Sequence, residues 1–195
     1  MGSASPIIGF MLPAPIVPLT DGPIHLRLPQ AGDVASLVDY SMTPGGLDGV
    51  WLPVEPGTSR RRLEWIIDDW LRGWAGEESL NGPALLLDVR EASRFVGHVG
   101  FGPREPGVVE LVYGIAPGWR GRGLATQAAL LATSWLVAQR HVRSVELRVG
   151  LDHRASRRVA EKAGFRLAGT VHQRVSATGE QFEDLRYVYI APRRP

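Results

Sequence analysis

Tyr113-Gly-Ile-Ala-Pro-Gly-Trp-Arg120-Gly-Arg-Gly-Leu-Ala125-Thr126 is the stretch that decides the fold. The apolar, β-branched run Val108–Ile115 enters it as a strand, Pro117 stops that strand, and a helix opens at once at Leu124. The helix runs on its apolar period to about Gln139, and Ser144–Val149 returns as a strand. Strand, long helix and strand in that order make a parallel crossover. Between strand and helix, Gly121 and Gly123 let successive backbone N–H groups turn into one concavity, to which the helix start adds partial positive charge. Arg120 and Arg122 bring full charges, and Thr126 offers a hydroxyl in the first helical turn. This is a cradle for a pyrophosphate.

Working outward, the upstream half reads as strands and helices of the same domain. His25-Leu26-Arg27-Leu28 alternates as a strand, and Asp33 leads into a helix carrying Val34, Leu37, Val38 and Tyr40. After a Gly/Pro-rich loop from Thr43 to Gly57, Thr58 or Ser59 caps a longer helix through Trp74. Ala84–Asp88, Phe95–Phe101 and Val108–Ile115 are spaced as antiparallel hairpins. Downstream, a short helix spans about Arg154 to Ala163. A strand follows Gly164, and a hairpin turning at Gly179 closes the chain with Phe182–Ile190. Residues 1–23 stand apart: five prolines and no basic residue mark an N-terminal extension rather than a signal peptide, and the domain is expected over 24–195.

Composition narrows the function. With 195 residues, 44% of them hydrophobic, the chain suits one soluble domain with a core. No apolar run is long enough to span a membrane. Cysteine is absent, which removes disulfides, thiolate zinc sites and a cysteine nucleophile, and fits a cytoplasmic home. The histidines lack ligand spacing, so no metal is expected. Lys162 is the only lysine, so the basic charge is almost all guanidinium, the group suited to phosphates. A formal net charge of +2 is too small for a nucleic-acid binder and points to a phosphate-bearing small ligand.

Three phosphate-loop patterns compete at the cradle. Walker A requires a lysine that is missing. The dinucleotide fingerprint finds Gly121-x-Gly123-x-x-Thr126, with Glu146 about 20 residues on; several antiparallel strands precede the loop, and Glu146 sits mid-strand. The third pattern is Arg/Gln-x-x-Gly-x-Gly/Ala, met by Arg120, Gly123 and Ala125. Its flanks are Glu110-Leu-x-Tyr-x-Ile-x-Pro117 before it and Ser156-x-Arg-Val-x-Glu-Lys-x-Gly164-Phe after it. In that order these blocks resemble the GNAT N-acetyltransferase superfamily, in its branch of ribosomal-protein N-terminal acetyltransferases (Rim type). The resemblance spans about Ile24 to Ile190.

The resemblance implies a GNAT fold: a mixed, mostly antiparallel sheet of about seven strands flanked by about four helices. The fourth and fifth strands, here Val108–Ile115 and Ser144–Val149, would splay apart. It implies acetyl-CoA as co-substrate and direct transfer to a primary amine. A protein N-terminal α-amine is the favoured acceptor, with lysine, polyamine and aminoglycoside amines open. A non-catalytic acyl-CoA sensor and a nicotinamide-dependent oxidoreductase are the rival classes, and the chain would act as a monomer or homodimer. Backbone groups at Ile115 and Ala116 would hold the pantetheine arm, and Arg120, Gly121, Arg122, Gly123, Leu124, Ala125 and Thr126 the pyrophosphate. An N–H near Gly114 or Ile115 would face the thioester carbonyl. His153 stands where the family has an asparagine, and Ala160 where many members have a tyrosine acid, leaving Ser156 as the hydroxyl for the leaving thiolate. Glu110 reads either as general base or as a cross-strand ion partner. His98 reads as a second base or a structural histidine. Trp51 reads as an acceptor-pocket wall or a loop anchor.

Overall fold

The computed structural model describes residues 12–42, 58–90, 92, 95–174 and 181–192. Trp51, the 43–57 loop and the turn at Gly179 lie outside them.

One mixed sheet organises the chain. Its strands are β1 (Leu19–Asp21), β2 (Ile24–Arg27), β3 (Ala84–Val89), β4 (Gly97–Glu105), β5 (Val108–Ile115), β6 (Ser144–Gly150), β7 (Arg166–Arg174) and β8 (Gln181–Ile190). They lie in the order β1-β2-β3-β4-β5-β6-β8-β7, and the β5–β6 pair is the parallel one. The eighth strand, β1, comes from the segment read as an extension, so sheet pairing begins at Leu19 opposite Leu26. Among the described residues four α-helices flank the sheet: α1 (Val34–Met42), α2 (Arg60–Ala75), α3 (Leu124–Ala138) and α4 (Arg154–Lys162). No helix among the described residues is long and apolar enough to cross a membrane.

Alternation along the strands sends side chains to two cores. On one face, Leu85, Leu87, Val99, Phe101, Val109, Leu111, Val145 and Leu147 pack with Ala128, Ala132 and Leu136 of α3 and Ala160 of α4. Small residues on α3 let the helix lie close to the strands. On the other face, Ala84 and Leu86 meet Leu63, Ile66, Ile67 and Trp70 of α2 and Val34 and Leu37 of α1. α2 forms because these apolar residues recur at helical spacing, Ser59 accepts the Arg62 N–H as N-cap, and Gly76 ends the helix in the left-handed region.

Two features aim this scaffold at one place. β6 pairs with β5 over only three rungs, Val108–Ser144, Val109–Val145 and Glu110–Glu146, while it pairs with β8 over its whole length. β5 stays with β4 as far as Ile115. A gap therefore opens between β5 and β6 beyond Glu110, as the resemblance implied. The second feature is Asp69, fully buried on α2. It accepts from Leu80 N–H, Asn81 N–H, Asn81 Nδ2, Ser79 Oγ and Arg72 Nη2 at 2.9–3.1 Å, locking the helix to the turn that leads into β3. Burial alone would raise its pKa, but the Asn81 and Leu80 N–H groups outweigh that and hold it below the ordinary carboxylate value.

Asp69→Ala would strip five donors of their acceptor and is expected to cost roughly 3 kcal/mol. Urea unfolding at pH 7 measures this, and a loss under 1 kcal/mol would show that the lock is dispensable. Because the folded pKa is depressed, the Asp69 contribution is present above the unfolded carboxylate pKa and fades as pH falls, so the deficit of the variant should shrink toward pH 3.

Candidate functional site

The gap presents an unpaired strand edge. In an antiparallel ladder, successive residues of a strand address opposite neighbours. Ala116 N–H donates to Val96 O at 2.8 Å, on the β4 side, whereas Gly107 O accepts Ser144 N–H at 3.1 Å, on the β6 side. By that alternation the backbone groups of Leu111, Tyr113 and Ile115 face the gap, and those of Val112, Gly114 and Ala116 face β4. Ala116, expected to hold the pantetheine arm, therefore has its amide committed elsewhere. Of Gly114 and Ile115, expected near the thioester, only Ile115 offers its N–H to the gap; Tyr113, which the sequence reading passed over, offers a second. Backbone groups with no strand partner form the edge to which an extended chain adds.

At the open end of this edge lies the glycine cradle. Gly121 and Gly123 have φ near +80°, the left-handed region that lets Arg122 and its neighbours turn their N–H groups the same way. A Cβ built at either meets no atom within 4 Å, so the concavity has room for a ligand. Gly123 is the N-cap of α3 without a side-chain cap, and the first bond into the helix is Gln127 N–H to Gly123 O at 3.1 Å. The N–H groups of Leu124, Ala125 and Thr126 thus open the helix with no partner in it. The Leu124 side chain is buried in the core, so this residue contributes its backbone alone. Arg120 Nε donates to Ile115 O at 2.9 Å, tying cradle to edge. Arg122 donates to Gly118 O at 3.2 Å and stacks on Trp119 at 4.6 Å. The donor set fits a diphosphate, and the edge fits an extended arm running from it toward Glu110.

The two sides of the gap differ. On the α4 side, the Tyr113 hydroxyl donates to Ser156 O at 3.5 Å, and burial raises the phenol above its ordinary pKa. Ser156 is half-buried at the start of α4, so the expected serine stands beside a phenol that sequence reading had not assigned. The alternation Val109, Leu111, Tyr113 could have found it, since each odd residue of β5 points to α3 and α4. His153 is exposed at the N-cap position and makes no side-chain cap bond. Ala160 is fully buried in the core.

On the α2 side, Glu110 is buried and bonded by Arg104, with Arg148 Nε 3.7 Å from its Oε1. The ion-partner reading of Glu110 is thus realised in the structure. Directly across the last rung is Glu146, bonded by Arg186 at 2.9 Å. That arginine, and the mostly antiparallel sheet, take Glu146 away from the ribose-binding place that a dinucleotide fold would give it. His98 lies opposite Gly114, and its ring stacks on Trp70 at 5.8 Å. Burial pushes its pKa down to about 4, leaving a neutral imidazole at pH 7.

Residues 24–166, more than half of the chain, match the sequence model of a family described as an acetyltransferase (GNAT) domain. No curated protein matches the sequence. A putative ribosomal-protein-serine acetyltransferase from Vibrio cholerae superposes with a TM-score of 0.74 at 16% identity, over 91% of this chain and 99% of that one. RimL, a ribosomal L7/L12 α-N-protein acetyltransferase solved with coenzyme A, superposes with a TM-score of 0.74 at 17% identity, over 89% and 98%. The microcin C7 self-immunity acetyltransferase MccE, solved with acetyl-CoA and AMP, gives 0.72 at 14%, over 87% and 93%. At these identities the likeness is one of fold.

The buried His98 makes stability depend on pH. Its folded pKa, about 4, lies below the ordinary 6.5, so the unfolded chain binds the proton more readily. Its effect should be absent above pH 6.5, and stability should fall as pH drops from 6.5 toward 4, by at most about 3 kcal/mol from this residue. Replacing it as His98→Gln should flatten that part of the profile in urea titrations, whereas an unchanged slope would mean that the imidazole titrates normally.

Proposed function

Because the chain belongs to the GNAT acetyltransferase family, it is an N-acetyltransferase, and we infer that it moves the acetyl group of acetyl-CoA directly to a protein N-terminal α-amine. The observation that carries this reading is the gap between β5 and β6, lined by the edge of Leu111, Tyr113 and Ile115 and closed at its wide end by the glycine cradle. Acetyl-CoA supplies the activated acyl group. The cradle residues Arg120 to Thr126 hold its pyrophosphate, and the β5 edge takes the pantetheine arm like an added strand. The Ile115 backbone bonds the arm, and nearer the narrow end of the gap the Tyr113 N–H polarises the thioester carbonyl and stabilises the oxyanion.

Attack by the amine nitrogen forms the amide bond, and the carbon–sulfur bond breaks to release the thiolate. The nitrogen must arrive neutral. Deprotonation at pH 7 costs about 1.4 kcal/mol for an α-amine of pKa near 8 and about 4.6 for a lysine near 10.4. With Glu110 already bonded by Arg104 and His98 a weak base, the site offers no strong proton acceptor, which favours the α-amine. Glu110 takes the proton through water, and its charge steadies the ammonium that develops on attack. On the opposite side, Ser156 and Tyr113 supply hydroxyls to the leaving thiolate.

An acceptor screen with acetyl-CoA, reading free thiol, tests the activity: N-terminal peptides should outpace lysine side chains, polyamines and aminoglycosides. Tight binding of acetyl-CoA without turnover on any amine would instead make the protein an acyl-CoA sensor. Gly123→Val forces a β-branched residue into positive φ at the cradle and should weaken acetyl-CoA binding at least tenfold, about 1.4 kcal/mol, by calorimetry. Unchanged affinity in the folded variant would remove the cofactor site from the cradle. Ser156→Ala should lower turnover by roughly ten- to a hundredfold with acetyl-CoA affinity held within a few-fold, since a thiolate contact forms as the bond breaks. Equal losses in both would make Ser156 a ground-state contact.

A further inference from the structure

Five charged side chains stand together on the α2-facing side of the sheet, at the narrow end of the gap. Glu110 is bonded by Arg104 and Glu146 by Arg186. Arg148 is the fifth. It lies two residues past Glu146 on the same face of β6, where that strand has already left β5. Its Nε comes no closer than 3.7 Å to Glu110 Oε1, beyond hydrogen-bond distance, and is buried without a hydrogen-bond partner. Glu110 and Glu146 are thus hydrogen-bonded by different arginines, and the Nε of Arg148 is left without a hydrogen-bond partner. Asp184 shares this face across from Gly150 and has an interaction of its own. The side chains of Arg104, Arg148 and Arg186 stay 38%, 21% and 38% exposed, so the guanidinia form the outer side of the cluster, while Glu110 is reached through water.

A run of small residues connects this cluster to the reaction point, with the Val112 side chain lying over Gly100, where an added Cβ would come within 2.8 Å of Val112 Cγ2. Gly102, Gly100 and Gly114 occupy the same face as Glu110, Val112 and His98, through the register Gly102–Glu110, Gly100–Val112 and His98–Gly114. A Cβ built at Gly102 would meet nothing nearer than Glu110 Cβ at 3.9 Å. From Tyr113 to Glu110 is three strand residues, about 10 Å. An amine placed beside Tyr113 therefore leaves the next residue of an extended acceptor, which reaches about 6 Å with its side chain, directed at the arginines.

We propose that Arg148, supported by Arg104 and Arg186, selects acceptors that carry a carboxylate a few bonds from the reacting amine, which for a protein N terminus means an acidic second residue. The inference rests on the transfer reading above and specifies its substrate. A guanidinium takes a carboxylate through paired N–H donors, and an arginine whose Nε is already desolvated gains more from that partner than a fully hydrated one. The preference should appear mainly in KM, because the contact exists before and during the reaction alike.

The test compares two acceptor peptides that differ only at residue 2, Asp against Asn, by kcat/KM at low salt. The Asp peptide should be favoured at least tenfold, and the ratio should shrink as salt rises. In Arg148→Gln the ratio should fall to near one, and Arg148→Lys should keep part of it. Reading a ratio within each variant cancels any general loss of activity. A wild-type ratio near one, or a ratio that survives Arg148→Gln, overturns the proposal, and the wild-type ratio with its salt dependence decides the matter even if the variant fails to fold. Should neither peptide be acetylated, the N-terminal reading fails separately, and β-alanine against its amide repeats the comparison: preference for β-alanine supports the charge selection, and preference for the amide removes it.

Discussion

Everything functional in this molecule depends on where β6 stops pairing with β5. A parallel pair satisfies the backbone N–H and C=O groups of both strands, and parting them leaves one edge of each without a strand partner. Each strand keeps its outer neighbour, β6 with β8 over its full length and β5 with β4 as far as Ile115, and β5 holds out Leu111, Tyr113 and Ile115 toward the gap. Such an edge is a liability unless something fills it, and the proposed pantetheine arm, with amide groups of its own, would meet that need.

The last rung before the gap explains why the parting is sharp. Glu110 and Glu146 stand directly opposite each other, and like charges across a rung are destabilising. Arg104 and Arg186 offset the repulsion by holding one carboxylate each, from the strands on either side. Two ion pairs, each joining a buried carboxylate to a partly exposed arginine, thus pin the apex. Desolvation largely cancels their attraction, so their contribution lies more in fixing where the strands diverge than in net stability. Burial, and after it the nearby Arg148 charge, pull Arg104 below its ordinary pKa.

The two faces of the sheet divide the work. On the α3 and α4 side, the α3 start leaves N–H groups and partial positive charge open at the cradle, and the Tyr113 hydroxyl stands beside Ser156, where the proposed transfer puts the pyrophosphate and the leaving sulfur. On the α2 side, a run of small residues lies between a neutral histidine and the arginine cluster, and Asp69 holds α2 to the sheet by its five donors. In the proposed transfer the amine adds to the thioester carbonyl from the α2 side, and the thiolate leaves toward the α4 side.

Much of this was legible in the chain itself, because local patterns encode it. The crossover, the hairpins, the four helices and the glycine cradle follow from apolar period, cap residues and the positions where only glycine accepts a left-handed backbone. The strand at Leu19–Asp21 was hidden by its shortness and by the flanking Pro18 and Pro23. What only the tertiary structure decided is pairing at a distance. Alternation along β5 gives two faces, but which edge each N–H addresses depends on the register with β4, so Ala116 turned out committed to Val96 and Tyr113 turned out to face the gap. Glu110 could not be told as base or ion partner while Arg104 and Arg148, on other strands, had no known place. An arginine's partner is set by the folded chain, because sequence separation says nothing of which strands lie side by side.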